Sequence, residues 1–396
     1  MERSSAIASA LPGLEFLSPT KFVFGFGTCA RLADEARALG GAKALVVCKK
    51  SMVERGDVRA AFRSLDEARV PYAIYDGIQP DAPIGLVDEA LAVLRAEGCD
   101  LVIGLGGGSA MDIAKCVAVA ATNDVGLRDM LGHGRVPRRG LPKIVVSTTH
   151  VAGADTGSAA VLQIDEHTHE HGVVDSPFLL ADVVVNDPEL TLTMGAEATV
   201  DTCLDTLVTG IECLTGRQAN VLSDFYSESI VRICARYMPA VAADGSDREA
   251  RYNLALAASM GGWAYMSSFI GAVHGISYGV AAACELTHGR SMAAILPAVM
   301  RYNLQTRPAP FVRLADVLGA RQPEVADFKV ARLSVVAVEE LLDSVGVAHR
   351  LRDYGLARER IPEVADLSWG QIGDFLESNA RPFGRAEVED ILSDAY

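Results

Sequence analysis

Residues 100–115 read DLVIGLGGGSAMDIAK. An apolar run from Leu101 to Leu105 stops at three consecutive glycines, and helical spacing of apolar residues resumes after Ser109. A short, continuous apolar run fits a strand buried on both faces, as in parallel sheets. Glycine at such a strand-to-helix junction permits positive φ and lets backbone N–H groups approach a ligand closely. The first turn of the next helix adds unsatisfied N–H donors and the positive end of a helix dipole. Gly106, Gly107, Gly108 and Ser109 are therefore a candidate cradle for phosphate or pyrophosphate. The stretch is not GxGxxG, so the common dinucleotide fingerprint is absent. The competing reading is a tight turn with nothing bound.

The surroundings decide the fold class. KFVFG (21–25), AKALVV (42–47), PYAIYDG (71–77) and PKIVVSTT (142–149) read as strands. MVERGDVRAAFRSLDEAR (52–69), PIGLVDEALAVLRAEG (83–98) and SAMDIAKCVAVAATN (109–123) have helical spacing. Strands alternating with helices of this length predict a parallel sheet covered on both faces. Two more β-prone runs, AAVLQI and FLLADVVV, flank the polar DEHTHEHGVVDSP, where His167, His169 and His171 read as a solvated hairpin tip. From about residue 190 the strand signals fade, and helical spacing runs through 196–214, 218–236, 247–272, 291–303 and 326–344. The expected architecture is an α/β N-terminal dinucleotide-binding domain with a parallel sheet (1–190), followed by an all-helical C-terminal domain (191–396).

Composition narrows the function. The chain has 396 residues, half of them hydrophobic, and a formal net charge of −15. That is ample for two cores. It carries no Lys/Arg run of the kind that tracks a polyanion, so nucleic acid is not an expected partner. No apolar run reaches the roughly 18 residues of a membrane span. The opening MERSSAIASALPGLEF lacks the apolar stretch of a secretory signal. Eight cysteines, none in a CxxC pair, read as buried thiols of a reducing compartment, so a cytoplasmic location is expected.

The helical half holds unusual polar residues. In TVDTCLDTLVTGIE (199–212), Asp201, Asp205 and Thr209 fall four apart on one face of an apolar helix. In GAVHGISYGVAAACELTHG (271–289), His274 and Tyr278 share a face, and His288 precedes a glycine. A carboxylate with two imidazoles suits Fe²⁺ or Zn²⁺. Each histidine alone also has a plainer reading as a hydrogen-bonded core residue, and His133 and His349 read as surface residues.

With both halves read, FGFG, GGGSAMDIAK, STT, NDPELT, GIECLTGRQANVLSD, VHGISYG, THGRSMAAILPAVMRYN and NARPFGRAEVEDIL follow one another in a familiar order. The chain resembles the iron-containing (group III) alcohol dehydrogenases, related in fold to glycerol dehydrogenase and dehydroquinate synthase, over about residues 15–396. The resemblance implies NAD(P) on Gly106, Gly107, Gly108 and Ser109, with Asp112 and Lys115 completing the motif and Thr148 and Thr149 on the adenosine side. It implies a metal held by Asp205, His274 and His288, with Thr209 standing where the family has another His ligand and Asp201 in reserve. Tyr278 occupies a position where the family often has a His near the reacting alcohol, so Tyr278 and His274 are the candidate catalytic residues. TTHVAGAD (148–155) replaces the TTAGTG of many relatives and brings His150 toward the cofactor as a candidate proton relay. Lys49 and Lys50 follow ALVVC, where NAD-preferring members carry an acid, which implies NADP(H) over NAD(H). A homodimer is implied as well. The expected reaction is reversible hydride transfer between a nicotinamide and a small primary alcohol or aldehyde, in a cleft between the domains. Two rivals keep the fold: a metal-independent reductase like the maleylacetate reductases, and a non-catalytic nucleotide-binding paralogue. A dehydroquinate-synthase-like lyase is disfavoured, because 199–214 and 271–288 contain no Lys or Arg to hold a sugar phosphate.

Overall fold

Every residue of β4 (Leu101–Gly106) and β6 (Lys143–Ser147) is buried, as a strand covered on both faces requires. In this computed structural model, which describes residues 14, 16–165, 170–371, 373 and 375–396, the two strands lie at the middle of a six-stranded sheet. The others are β1 (Lys21–Phe24), β2 (Ala44–Val47), β3 (Tyr72–Tyr75) and β9 (Val183–Asn186), in the order β1-β9-β6-β4-β2-β3. All the pairings are parallel. Helices α1 (Leu32–Ala38), α2 (Lys50–Arg55), α3 (Arg59–Glu67), α4 (Gly85–Glu97) and α5 (Gly108–Ala120) make the connections from β1 through β6. Strand periodicity assigns the faces. Leu45, Val47 and Val102 pack with α4 and α5. Ala44, Val46, Leu101, Ile103 and Leu105 pack with α1 and α3 on the other side.

From Ala196 onward the described chain is helical: α6 (Ala196–Thr215), α7 (Val221–Ala243), α8 (Arg248–Ser268), α9 (Ala272–Cys284), α10 (His288–Leu304), α11 (Pro308–Val317), α12 (Asp327–Ser344), α13 (Ile361–Trp369), α14 (Phe375–Ser378) and α15 (Arg385–Asp394). They share one apolar core. Helix α6 runs through it, with fifteen of its twenty residues buried, so its polar side chains sit among apolar neighbours. The eight cysteines are free thiols, and among the described residues no single helix is long and apolar enough to cross a membrane.

Several elements differ from the sequence expectation. The helical stretch at 52–69 is two helices, because Gly56 turns left-handed at φ 78°. The stretch at 247–272 breaks at Phe269, which takes φ 59°. Around the supposed polar tip the described residues form strands: β7 (Ala159–Asp165) and β8 (Glu170–Asp175) pair antiparallel, and β5 (Gly132–His133) joins β8. The expectations for His167 and His169, and for the segment before Leu14, lie outside the described residues.

The topology also places a ligand crevice. From β2 the chain moves outward to β3, then returns at β4 to the opposite side of β2. Order reverses there, and in open parallel sheets ligands bind outside the carboxyl ends of the strands at such a reversal. Val47 is in register with Gly104, so the residues after β2 and β4, Lys49 and Gly106–Gly108, flank that crevice.

Candidate active site

The glycine turn departs from its expected rationale. None of Gly106, Gly107 and Gly108 has positive φ. Space is what they supply. A Cβ at Gly106 would stand 2.8 Å from the Ala110 Cβ, and one at Gly107 would stand 3.0 Å from the Thr149 hydroxyl. At Gly108 nothing lies within 4 Å. The first two glycines thus let strand, helix and the segment after β6 close up, and the third leaves the helix N-terminus open. Gly107 caps α5 with extended backbone, and the Thr148 N–H donates to the Gly106 carbonyl at 3.0 Å. Ser109 and Thr149 are half-buried beside the opening. Lys49 is exposed at the end of β2, where it caps α2.

Lys115 requires a correction. Lys115 is wholly buried, and its ammonium donates to the carbonyls of Ala154, Gly157 and Ala159. An ammonium has three donors, so none remains for a phosphate. One Asp112 carboxylate oxygen accepts from the Val161 N–H at 3.1 Å. Both side chains fasten residues 154–161 to α5. Lys115 has no donor left for a ligand, whereas the second Asp112 carboxylate oxygen is buried without a hydrogen-bond partner.

Three expected metal ligands converge. Asp205, His274 and His288 each offer a ligand atom, all within 4.8 Å of one another, and Asp205 Oδ1 lies 3.4 Å from His274 Nε2. Neighbouring backbone fixes each. A Cβ at Gly289 would fall 1.9 Å from the Asp201 carbonyl, so the start of α10 lies directly on α6 and brings His288 to Asp205. Glu212, two turns beyond Asp205 on α6, is 5% exposed. Its carboxylate accepts from the N–H groups of Gly271 (2.9 Å) and Val273 (2.6 Å) and from His274 Nδ1 (2.6 Å). The same carboxylate caps α9 and orients the imidazole, leaving Nε2 turned toward Asp205. A buried carboxylate on the far nitrogen is the usual partner of a metal-binding histidine.

Electrostatics suit a cation here. Burial disfavours protonated His274, yet hydrogen bonds to Asp205 and Glu212 and their charges outweigh it and raise its pKa to about 9. Burial pushes His288 down to about 4, so it stays a neutral donor. Burial would raise Asp205, but the His274 hydrogen bond and the two imidazoles lower it overall. One carboxylate oxygen and two imidazole nitrogens form a donor set that fits a borderline divalent ion. Thr209, buried one turn past Asp205, adds at most a weak hydroxyl ligand. The reserve ligand is withdrawn: the Asp201 carboxylate is taken by Arg290 Nε (2.8 Å) and the Thr287 hydroxyl (2.9 Å).

Tyr278 borders the cluster, its ring stacked on His288 with centroids 5.2 Å apart. Burial and the Asp205 charge push its phenol above the ordinary value, so the hydroxyl stays protonated. His171 is not a solvated residue. It is half-buried and stacks on Tyr278 at 4.9 Å. His150 is 1% exposed, with Nδ1 3.5 Å from the Thr202 hydroxyl, and burial pushes its pKa to about 3. A pKa that far below neutral is poorly matched to general acid–base work near neutral pH. Sequence reasoning thus missed Glu212 and His171. The signal for Glu212 was its seven-residue spacing from Asp205 on an apolar helix.

A family model described as iron-containing alcohol dehydrogenase matches residues 19–188, and one described as Fe-containing alcohol dehydrogenase family, C-terminal, matches residues 199–396. The chain is 29% identical over 384 residues to the 1,3-propanediol dehydrogenase of Klebsiella pneumoniae, covering 96% of this chain and 98% of that protein. It is 27% identical over 380 residues to the NAD-dependent methanol dehydrogenase of Bacillus methanolicus, covering 96% and 99%. The crystal structure of a 1,3-propanediol oxidoreductase superposes with a TM-score of 0.92 at 29% identity, over 97% of this chain and 100% of that one.

Proposed function

Because the chain belongs to the iron-containing alcohol dehydrogenase family, and so to the oxidoreductases, we propose that it interconverts a small primary alcohol and its aldehyde by hydride transfer, using NADP(H) in preference to NAD(H) and a divalent metal held by only three protein ligands. The observation that carries this reading is the convergence of Asp205, His274 and His288 with Glu212 fixing the His274 ring. When bound, the dinucleotide supplies or accepts the hydride and Fe²⁺ or Zn²⁺ polarises the substrate oxygen.

The chain's own residues do the rest. The open amides from Gly107 to Ser109 hold the diphosphate at the positive end of α5, beside Thr148 and Thr149. Lys49, across the crevice, suits a ribose 2′-phosphate, where an acid would suit the free 2′-hydroxyl. The relative named as NAD-dependent supports the coenzyme class, and Lys49 supports the NADP(H) preference. Asp205, His274 and His288 would hold the metal, which would supply Lewis-acid chemistry at the substrate oxygen. Tyr278, protonated and next to His288, hydrogen-bonds the substrate oxygen and donates a proton to it as the aldehyde is reduced. The homodimer, the cytoplasmic location and the domain boundary near residue 190 belong to the same proposal. Thr209 is the specific observation that favours a second reading, a metal-independent reductase in which Tyr278 and His274 act alone.

The test is reduction of a panel of short aldehydes with NADPH or NADH, before and after chelation, alongside metal analysis of the purified protein. The expected result is activity with NADPH that chelation abolishes and Fe²⁺ or Zn²⁺ restores. Thr209→His should tighten metal retention against a chelator on the order of tenfold or more, since even changes in outer-shell partners alter affinity 10- to 100-fold. Undiminished turnover without metal would establish the metal-independent reading. Dinucleotide binding with no turnover under any condition would establish a non-catalytic paralogue.

A further inference from the structure

Tyr278 stacks on two imidazoles that come from different parts of the fold. His288 opens α10 in the helical domain, and its ring lies 5.2 Å from the phenol ring with planes 25° apart. His171 belongs to β8 in the nucleotide-binding domain, and its ring lies 4.9 Å away with planes 29° apart. Phe375 tilts against the same phenol at 6.4 Å. The run His171–Tyr278–His288 therefore joins the two halves of the chain and ends on a member of the candidate metal cluster. His171 itself is outside that cluster. His288 is anchored by the contact of Gly289 with the Asp201 backbone, so one end of the run is fixed by the helical domain and the other is supplied by the β7–β8 hairpin.

We propose that His171 is a positioning residue for Tyr278: its ring, reaching over from the nucleotide-binding domain, holds the phenol beside His288 and so sets the hydroxyl at the reacting oxygen. The proposal rests on the alcohol dehydrogenase reading above. A phenol without that ring has more room to turn about its χ angles, and reaction rate falls steeply when a donor spends less time in the productive pose. Stacking needs a flat ring, not a titratable one. A phenyl group should therefore replace the imidazole where a methyl cannot.

The experiment compares His171→Ala and His171→Phe with the wild type, as full-length, metal-loaded protein. His171→Ala should lower kcat about tenfold, while KM for the dinucleotide and bound metal per chain stay within about twofold. His171→Phe should recover kcat to within about twofold of the wild type. A double-mutant cycle with Tyr278→Ala, read in thermal unfolding, should be non-additive, since residues in contact couple and distant ones do not. This arm needs no turnover. A wild type inactive on every aldehyde would end the dehydrogenase reading and leave the cycle to decide the stack. The positioning role is overturned if His171→Ala leaves kcat unchanged, if His171→Phe is as impaired as His171→Ala, or if the cycle is additive.

Discussion

His150 shows what burial does to a single side chain. It is 1% exposed, and burial, helped by the Arg251 charge, takes its pKa from 6.5 to about 3. The folded chain keeps the ring neutral over a range in which the unfolded chain protonates it. Between those two values the unfolded state binds more protons, so unfolding free energy rises with pH there. Its stability contribution is complete above about pH 6.5 and is lost on acidification, by up to about 1.4 kcal/mol per pH unit. His150→Leu should flatten the acid limb of urea-unfolding stability between about pH 6.5 and 4 by as much as one proton, and leave the slope near pH 8 unchanged. An equally steep acid limb in the variant would mean that His150 is already protonated in the folded chain. The neighbouring residues mark how far a sequence can be read at this scale. Asp205, His274 and His288 stood out because charge and imidazole interrupt apolar helical spacing. Glu212 did not, because its partners are the backbone of α9 and an imidazole some sixty positions away. Lys115 sat in the right motif and pointed the wrong way, since nothing local fixes the direction of a long flexible side chain.

The strand-turn-helix unit β4–α5 carries the argument from residue to element. Its glycines serve packing on one side and access on the other, and the two uses separate experimentally. Gly108 has ordinary φ and open space around the position of a side chain. Gly108→Ala should therefore leave the melting temperature unchanged or slightly higher, because alanine favours helix by up to about 1 kcal/mol. It should weaken NADPH binding about tenfold or more in fluorescence titration, because the amide approach to the diphosphate is blocked. Gly106→Ala, by contrast, meets the Ala110 Cβ at 2.8 Å and should destabilise by about 1–3 kcal/mol. NADPH binding to Gly108→Ala as tight as to the wild type would show that the diphosphate is not seated on this turn. This unit was legible because its signals are local: an apolar run, three glycines, then helical spacing. The parallel sheet was legible for the same reason. The break at Phe269 and the β8 strand were not. A non-glycine residue at φ 59° gives no local warning, and β8 is held by its pairing with β7 and β5 and by the stacking of His171 on Tyr278 of α9.

At the scale of the molecule, the proposed reaction requires the glycine turn and the Asp205–His274–His288 cluster to keep their relative position. Contacts between parts of a chain often permit domain motion. Here α8, a helix of the second half, is built into the first. A Cβ at Gly153 would meet the Gly262 nitrogen at 2.0 Å, so the segment after β6 lies directly on α8. The Thr156 hydroxyl donates to the Ser259 carbonyl at 2.6 Å, and the Tyr265 hydroxyl accepts from the Ala159 N–H at 2.8 Å. The Ser259 hydroxyl donates to the Asp155 carboxylate and accepts from Asn186 Nδ2 at 2.8 Å. Asn186 ends β9, so the joint ties the sheet itself to the helical domain. All three of these side chains are buried. Lost hydrogen bonds there are therefore not replaced by water. Ser259→Ala removes one hydroxyl and leaves both a carboxylate and an amide short of a partner, at a cost of about 1–3 kcal/mol. Spread over a chain of this length, that lowers the melting temperature by about 1–4 °C. Metal per chain should be unchanged, since Ser259 touches none of Asp205, His274 and His288. Catalysis should suffer more than stability, because kcat depends on how often nicotinamide and substrate meet in the reactive pose. Differential scanning calorimetry beside steady-state kinetics checks both expectations. Wild-type kcat in a Ser259→Ala protein with the lowered melting point would mean that the joint supports the fold without aligning the site.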